Sequence, residues 1–151
     1  MRRDIELMKR AIELAKKAAQ LGEIPVGAVI ADSVSGEIIA EAYNLRETNK
    51  NAVAHAEILA IQKACEKLGG WRLSGCTLYV TLEPCPMCAG AVVNSRIDRV
   101  VWGACDMLAG CCESVINFNA YPFNHSFMTE SGVCEDECRE ILKDFFEKKR
   151  K

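Results

Sequence analysis

Cys76-Thr-Leu-Tyr-Val-Thr81 runs through Leu82-Glu-Pro84 into Cys85-Pro-Met-Cys88 and on to Ser95. The first six residues are mostly apolar, β-branched or aromatic and read as a strand. Pro86 suits the first turn of a helix, where its missing N–H is not needed, so Pro86 to Ser95 reads as a short helix. The same alternation continues outward. Arg99-Val-Val-Trp-Gly103 reads as another strand. Upstream, Val26-Gly-Ala-Val-Ile-Ala31 and Glu37-Ile-Ile-Ala-Glu-Ala-Tyr43 flank the turn-rich Asp32-Ser-Val-Ser-Gly36 and read as a hairpin. Ile5, Met8, Ile12, Ala15 and Ala19 form one helical face over residues 4–21, with Gly22 as its stop. Ala54, Ile58, Ile61, Cys65 and Leu68 form a second face, ended by Gly69-Gly70. Glu137 to Lys149 reads as a last helix, with Cys138, Ile141, Leu142, Phe145 and Phe146 facing inward. Asn44 to Asn51 is polar, and residues 104–133 show no usable period. Strands alternating with helices predict a three-layer α/β (αβα) domain, and the hairpin makes its sheet mixed.

The chain has 151 residues, half of them hydrophobic and 26% charged. That is an ordinary globular mixture, and residues 1–151 are expected to form a single domain. A formal charge of −2 excludes a strongly basic nucleic-acid coat but not a local basic patch. No apolar run approaches the ~20 residues of a spanning helix, so no membrane role is expected. Arg2-Arg3 could open a twin-arginine signal, but Asp4, Glu6, Lys9 and Arg10 stand where its apolar region belongs. They read instead as a charged first turn, and the protein is expected in the cytoplasm. Its nine cysteines then read as reduced thiols plus some metal ligands.

Two short motifs carry chemistry: His55-Ala-Glu57 and Pro84-Cys-Pro-Met-Cys88. Taken singly, His-x-Glu is commonly surface or satisfied core, and Cys-x-x-Cys serves zinc, redox chemistry or neither. Together, at two helix starts, they supply one imidazole and two thiols. Three protein ligands leave the open position of a catalytic zinc. His55 and Glu57 point about 200° apart around a helix, so both reach one site only where the helix meets it end-on. A helix N-terminus also favours thiolate over thiol. Zinc lowers the pKa of bound water to roughly 7, and a nearby carboxylate can move that water's proton. His-x-Glu followed by Pro-Cys-x-x-Cys is the pattern of the zinc nucleobase deaminases, in which the glutamate is not a ligand.

At this point the chain resembles the bacterial tRNA-specific adenosine deaminases of the cytidine-deaminase superfamily. The stretches that carry the likeness are Gly22-Glu-Ile-Pro-Val-Gly-Ala-Val29, Ala54-His-Ala-Glu-Ile58, Thr77 to Cys85, Met87-Cys-Ala-Gly-Ala91, Ser95-Arg-Ile97, Arg99-Val-Val101 and Asp144-Phe-Phe146. They cover nearly the whole chain in family order. The resemblance implies a five-stranded mixed sheet between helices and a homodimer. It implies one zinc per subunit on His55, Cys85 and Cys88, with Glu57 as the catalytic proton shuttle. It implies a substrate site of Asn44, Ala56, Pro84, Asp106, Phe146 and Lys149, in which Asn44 holds the base. The implied reaction is deamination of adenosine to inosine at the wobble position of a tRNA anticodon, an arginine tRNA being the expected partner.

Asp106 and Gly110 fit the family. Leu108 stands where these enzymes usually carry lysine, and Cys105 where many carry a polar or basic residue. A cation lost there weakens the phosphate attraction. The tail Lys148-Lys-Arg-Lys151 pulls the other way, reading either as a phosphate grip or as a solvated helix end. Asn44 reads alternatively as a turn residue, Phe145 and Phe146 as core, and His125 as structural or close to substrate. Cys111-Cys112 and Cys134 with Cys138 read as core thiols rather than a second metal site. The competing functions are a deaminase of a free base or nucleoside, a non-catalytic zinc or RNA-binding subunit, and a thioredoxin-like redox protein. Glu57 argues against the second, and His55 with Glu57 against the third.

Overall fold

The computed structural model describes residues 2–150. Its elements are α1 (Arg2–Gln20), β1 (Gly27–Asp32), β2 (Ile38–Tyr43), α2 (Ala56–Leu68), β3 (Cys76–Leu82), α3 (Pro86–Ser95), β4 (Arg99–Ala104), a 3-10 turn (Phe118–Ala120), β5 (Met128–Glu130) and α4 (Glu135–Lys149). The strands form one sheet in the order β2-β1-β3-β4-β5. β1 is antiparallel to β2 and β3, while β3, β4 and β5 are parallel. This is the three-layer αβα, cytidine-deaminase-like arrangement expected. Among the described residues no helix is long and apolar enough to cross a membrane.

The two faces of the sheet bury different cores. One packs Ile30, Leu78, Val80, Val100 and Trp102 against α2 and α3. The other packs Val29, Tyr79 and Val101 against α1 and α4. Strands buried on both sides explain the near-continuous apolar runs of β1 and β3.

The helix faces differ in detail from the spacing that predicted them. α1 buries Leu7, Met8, Ala11, Ile12, Leu14, Ala15 and Ala18, while Ile5 is exposed and Ala19 half-buried. The buried face is rotated towards small residues because α1 lies almost on the backbone of β1. A Cβ on Gly27 would collide with the carbonyl oxygen of Ala11 and the amide of Ala15. Likewise α2 fully buries Ala56, Ala60 and Ala64 against the sheet. Ile58, Ile61 and Cys65 are only half-buried and Leu68 is exposed. Gly69, at φ 72°, caps α2 in the left-handed region that glycine tolerates.

Two expectations need correction. Residues 104–133 hold β5, which pairs Met128, Thr129 and Glu130 with Arg99, Val100 and Val101. A strand of three residues, two exposed and one half-buried, has no room for alternation. It is placed by its neighbour and by Asn119, whose side chain bonds both the N–H and the carbonyl of Phe127. Phe146 does not face inward with the other apolar residues of α4. It is exposed, and Phe145 takes the buried position, the two rings edge-on at 5.4 Å.

α1 is tied to the sheet by charge as well as packing. Asp4 is buried, accepts from the Tyr79 hydroxyl at 2.8 Å and from the Arg99 guanidinium at 3.0 and 2.7 Å. The Arg99 hydrogen bonds hold its carboxyl below the usual range, against the opposing effect of burial. A depressed folded-state pKa gives stability that is present above the unfolded pKa of about 3.9 and lost as pH falls through the folded value.

Two outcomes follow. Gly27→Ala lowers unfolding free energy by about 1–3 kcal/mol or more in urea melts, because backbone rather than a side chain stands in the way. Asp4→Asn lowers it by about 1–3 kcal/mol at pH 7. That deficit shrinks as the pH falls below about 4, where wild-type Asp4 takes up its own proton.

Candidate active site

α2 and α3 point their N-termini at one place, beyond the carboxyl end of β3. His55 is the residue before α2 and Cys85 the residue before α3. Both have extended backbones, and neither side chain caps its own helix. They are therefore free to point at each other. Cys88 lies one turn into α3 and is fully buried. His55 Nδ1 is 3.7 Å from Cys85 Sγ and 3.6 Å from Cys88 Sγ. All three donor atoms lie within 4.8 Å of one another.

Those separations test the metal. Tetrahedral zinc, with Zn–S of about 2.3 Å and Zn–N of about 2.1 Å, requires N···S of about 3.6 Å. The His-Cys-Cys set thus fits one zinc ion per chain. No other such group of donors occurs among the described residues. Cys111, Cys112 and Cys138 are buried thiols, Cys134 is half-buried, and Cys105 is exposed.

The charges agree with a cation site. The Cys88 thiol and the His55 ring, both hydrogen-bonded to Cys85, push the Cys85 pKa down to about 4. Cys88 moves the opposite way through that bond and its burial, and His55 is raised by its bond to Cys85. A thiol so lowered beside an imidazole suits a site that exchanges protons for metal. Glu57 stands in the first turn of α2 and is 4% exposed. Burial, and secondarily the Cys85 charge, raise its pKa to about 7. A carboxyl group so poised can both take and give a proton near neutral pH. His55 and Glu57 share the site because α2 meets it end-on.

His55, Glu57 and Cys85 line a cavity of about 130 Å³, with Cys88 buried behind them. At roughly 30 Å³ per water it holds about four waters, a volume near that of the ~150 Å³ cavity that takes one flat ring. Ile24, Val26 and Leu82 give it apolar walls, while Asn44, Arg46 and Asp106 give polar ones. Asn44 is buried and serves its turn: its amide donates to the Ile24 carbonyl at 3.1 Å and its oxygen accepts from the Arg46 N–H at 3.1 Å. One amide hydrogen remains for a ligand. Ala56 also lines the cavity. Pro84 is buried outside the lining, its carbonyl accepting from the Cys111 N–H at 2.9 Å.

Phe146 and Lys149 are not part of that lining. The last turns of α4 lie beside the last turn of α1, where Ile141, Phe145 and Lys148 share a groove with Lys16 and Gln20. α1 leads from there through Gly22 to Ile24 in the cavity wall. Lys149 lies over the Phe145 ring at 5.3 Å. Lys151 lies outside the described residues. His125 bonds the Ile97 carbonyl at 2.7 Å and takes the structural role. Leu108 is 94% exposed on the loop that carries Asp106.

Sequence reasoning passed over Ile24, Arg46, Leu82 and Glu83 as cavity residues. Ile24 and Glu83 sit inside quoted motifs, but neither has a spacing that marks it as wall rather than core. Arg46 was hidden in a polar stretch.

The profile of the cytidine and deoxycytidylate deaminase zinc-binding region matches residues 1–104. A tRNA-specific adenosine deaminase of Bacillus subtilis (strain 168) is 54% identical, with 100% of this chain and 93% of the relative covered. A solved structure from studies of A-to-I editing by tRNA:A34 deaminases at the wobble position of transfer RNA superposes with a TM-score of 0.87. It is 42% identical, with 91% of this chain and 99% of that chain covered. A guanine deaminase from Nitrosomonas europaea superposes with a TM-score of 0.83 at 25% identity, covering 93% of this chain and 83% of that one. The donor set, the sheet that presents it and the extent of these matches give one answer: the chain belongs to the cytidine and deoxycytidylate deaminase zinc-binding family.

Proposed function

We propose that this protein deaminates adenosine to inosine at the wobble position of a tRNA anticodon. The observation that carries the reading is that the donor set His55, Cys85 and Cys88 stands beside Glu57 at a cavity lined by His55, Glu57 and Cys85. The similarity over the full chain to tRNA-specific adenosine deaminases supports the choice of substrate. The reaction consumes water and releases ammonia. Zinc, when bound, supplies the Lewis acid that makes water nucleophilic near neutral pH. His55, Cys85 and Cys88 hold that ion. Glu57 is the catalytic residue: it takes the proton of the attacking water, passes it to the ring nitrogen, and assists departure of the amino group. Asn44 holds the base and Ala56 lines its slot, while Pro84 takes part only through its place between Glu83 and Cys85, which both line it. A single-stranded anticodon loop presents such a base at little unstacking cost.

Asp106, Phe146 and Lys149 are assigned to the RNA outside the slot, with the cations Lys148 to Lys151 near its phosphates. An arginine tRNA is the proposed partner. The active unit is proposed as a cytoplasmic homodimer of one-domain chains, with the exposed apolar residues Met107, Tyr121 and Phe123 offering surface to a second copy or to RNA. The second reading is a deaminase of a free base, favoured by the likeness to the guanine deaminase and by Leu108 in place of a cation.

The test is nucleoside analysis after incubating zinc-loaded protein with an arginine-tRNA anticodon stem-loop, beside free adenosine, guanine and cytosine. Inosine is expected in the RNA alone. Glu57→Ala keeps its zinc and loses at least about 10²-fold in turnover, the low end of a proton-transfer contribution. Ammonia from a free base with untouched RNA would replace this reading with the second. Leu108→Lys, at a site too exposed to affect the fold, tightens stem-loop binding and steepens the slope of log affinity against log salt by about one. An unchanged slope would place that loop away from phosphate.

A further inference from the structure

Two loops wall the cavity, and a buried carboxylate anchors each: Glu23 one, and Glu83, itself in the lining, the other. Glu23 accepts from the N–H groups of Glu47 at 3.0 Å and Thr48 at 2.5 Å, and from the Thr48 hydroxyl at 2.6 Å. Glu83 holds the opposite loop more extensively. Its Oε1 accepts from the Asp106 N–H at 3.1 Å and from the Ser114 hydroxyl. Its Oε2 accepts from the N–H groups of Cys112, Glu113 and Ser114 at 3.2, 2.8 and 2.9 Å. Both carboxylates are almost fully buried, and neither joins an ion pair among the described residues.

A buried carboxylate without a counter-ion is tolerable only when its lone pairs are filled. The 106–114 loop supplies five donors to one side chain, so loop conformation and carboxylate depend on each other. Gly110 shows how close the fit is, since a Cβ there would collide with the Glu83 carboxyl group. Asp106 continues the same structure towards the cavity. Its Oδ1 accepts from the N–H groups of Leu108 and Ala109, and the residue lines the wall. None of the Glu83 bonds reaches His55, Cys85 or Cys88.

We propose that Glu83 is a positioning residue: it fixes the 106–114 loop so that Asp106 stands at the cavity wall, and so sets how tightly the nucleotide substrate is held. The proposal rests on the deaminase reading above. It separates two tasks that adjoin in sequence, with Cys85 serving the metal and Glu83 serving the opposite wall.

Glu83→Gln is the selective lesion. The carboxamide keeps one acceptor oxygen, which can still serve Cys112, Glu113 and Ser114. Its NH₂ group then faces the Ser114 hydroxyl, which can turn and accept, and the Asp106 N–H, which cannot. The loss falls on Asp106. With zinc-loaded protein and the anticodon stem-loop, KM is expected to rise about tenfold while kcat changes less than about threefold, at unchanged zinc content. Amide exchange should quicken in residues 105–110 and keep its rate in residues 44–51 and in the central strands. Gly110→Ala, which keeps the carboxylate, carries the same expectation from the loop side. The double variant should lose no more than the worse single one.

A fall in kcat at constant KM, exchange that quickens evenly through the chain, or fully additive losses would each overturn the proposal. Failure of the substrate reading shows separately, as wild-type protein that leaves RNA unchanged. The exchange pattern then judges the role of Glu83 without any substrate.

Discussion

Two helices begin at one point, and that shared origin imposes a constraint on both. A helix start leaves four backbone N–H groups without partners, and Ser, Thr, Asp or Asn ordinarily satisfies one of them. Here His55 and Cys85 occupy those positions, and neither caps its helix. The forgone caps cost about 1 kcal/mol each by the usual measure. In return the side chains converge, and two sets of partial positive charge face the thiols. The depressed pKa of Cys85, near 4, reflects its local partners in this arrangement. Glu57 joins the group only because α2 arrives end-on.

The rest of the architecture serves that meeting. α2 reaches it by lying close to the sheet on the small stripe Ala56, Ala60 and Ala64. α1 lies close on the other face, where Ala11 and Ala15 meet Gly27. Close packing on both sides leaves few ways to shift the sheet ends, so the donors hold a separation suited to zinc. The cost of that rigidity is borne by the walls. They are loops, and loops need anchors. Glu23 and Glu83 provide them by drawing backbone N–H groups from segments far along the chain.

Chemistry written over a few adjacent residues was legible before any coordinates. His55-Ala-Glu57 and Cys85-Pro-Met-Cys88 lie at helix starts that local pattern marks, and their geometry follows from helix pitch. The strand runs of β1, β3 and β4 were legible because burial on both faces leaves them nearly all apolar. Five-strandedness was different. β5 has three residues and exists through its pairing with Arg99, Val100 and Val101.

The sequence by itself determined the order of elements apart from β5, the mixed sheet, the donor trio and the carboxylate beside it, because each rests on short-range periodicity or on residue types with one dominant use. Tertiary structure alone decided which side of each helix is buried. Ile5 is outside although it continues the period, and Phe146 is outside although Phe145 beside it is in. It alone decided that Asn44 and Asp106 line one cavity and that Glu83 belongs to a wall rather than to the metal. These outcomes depend on neighbours 20 or more residues away. Local propensity cannot see such neighbours, because only the closed sheet brings them within hydrogen-bonding reach.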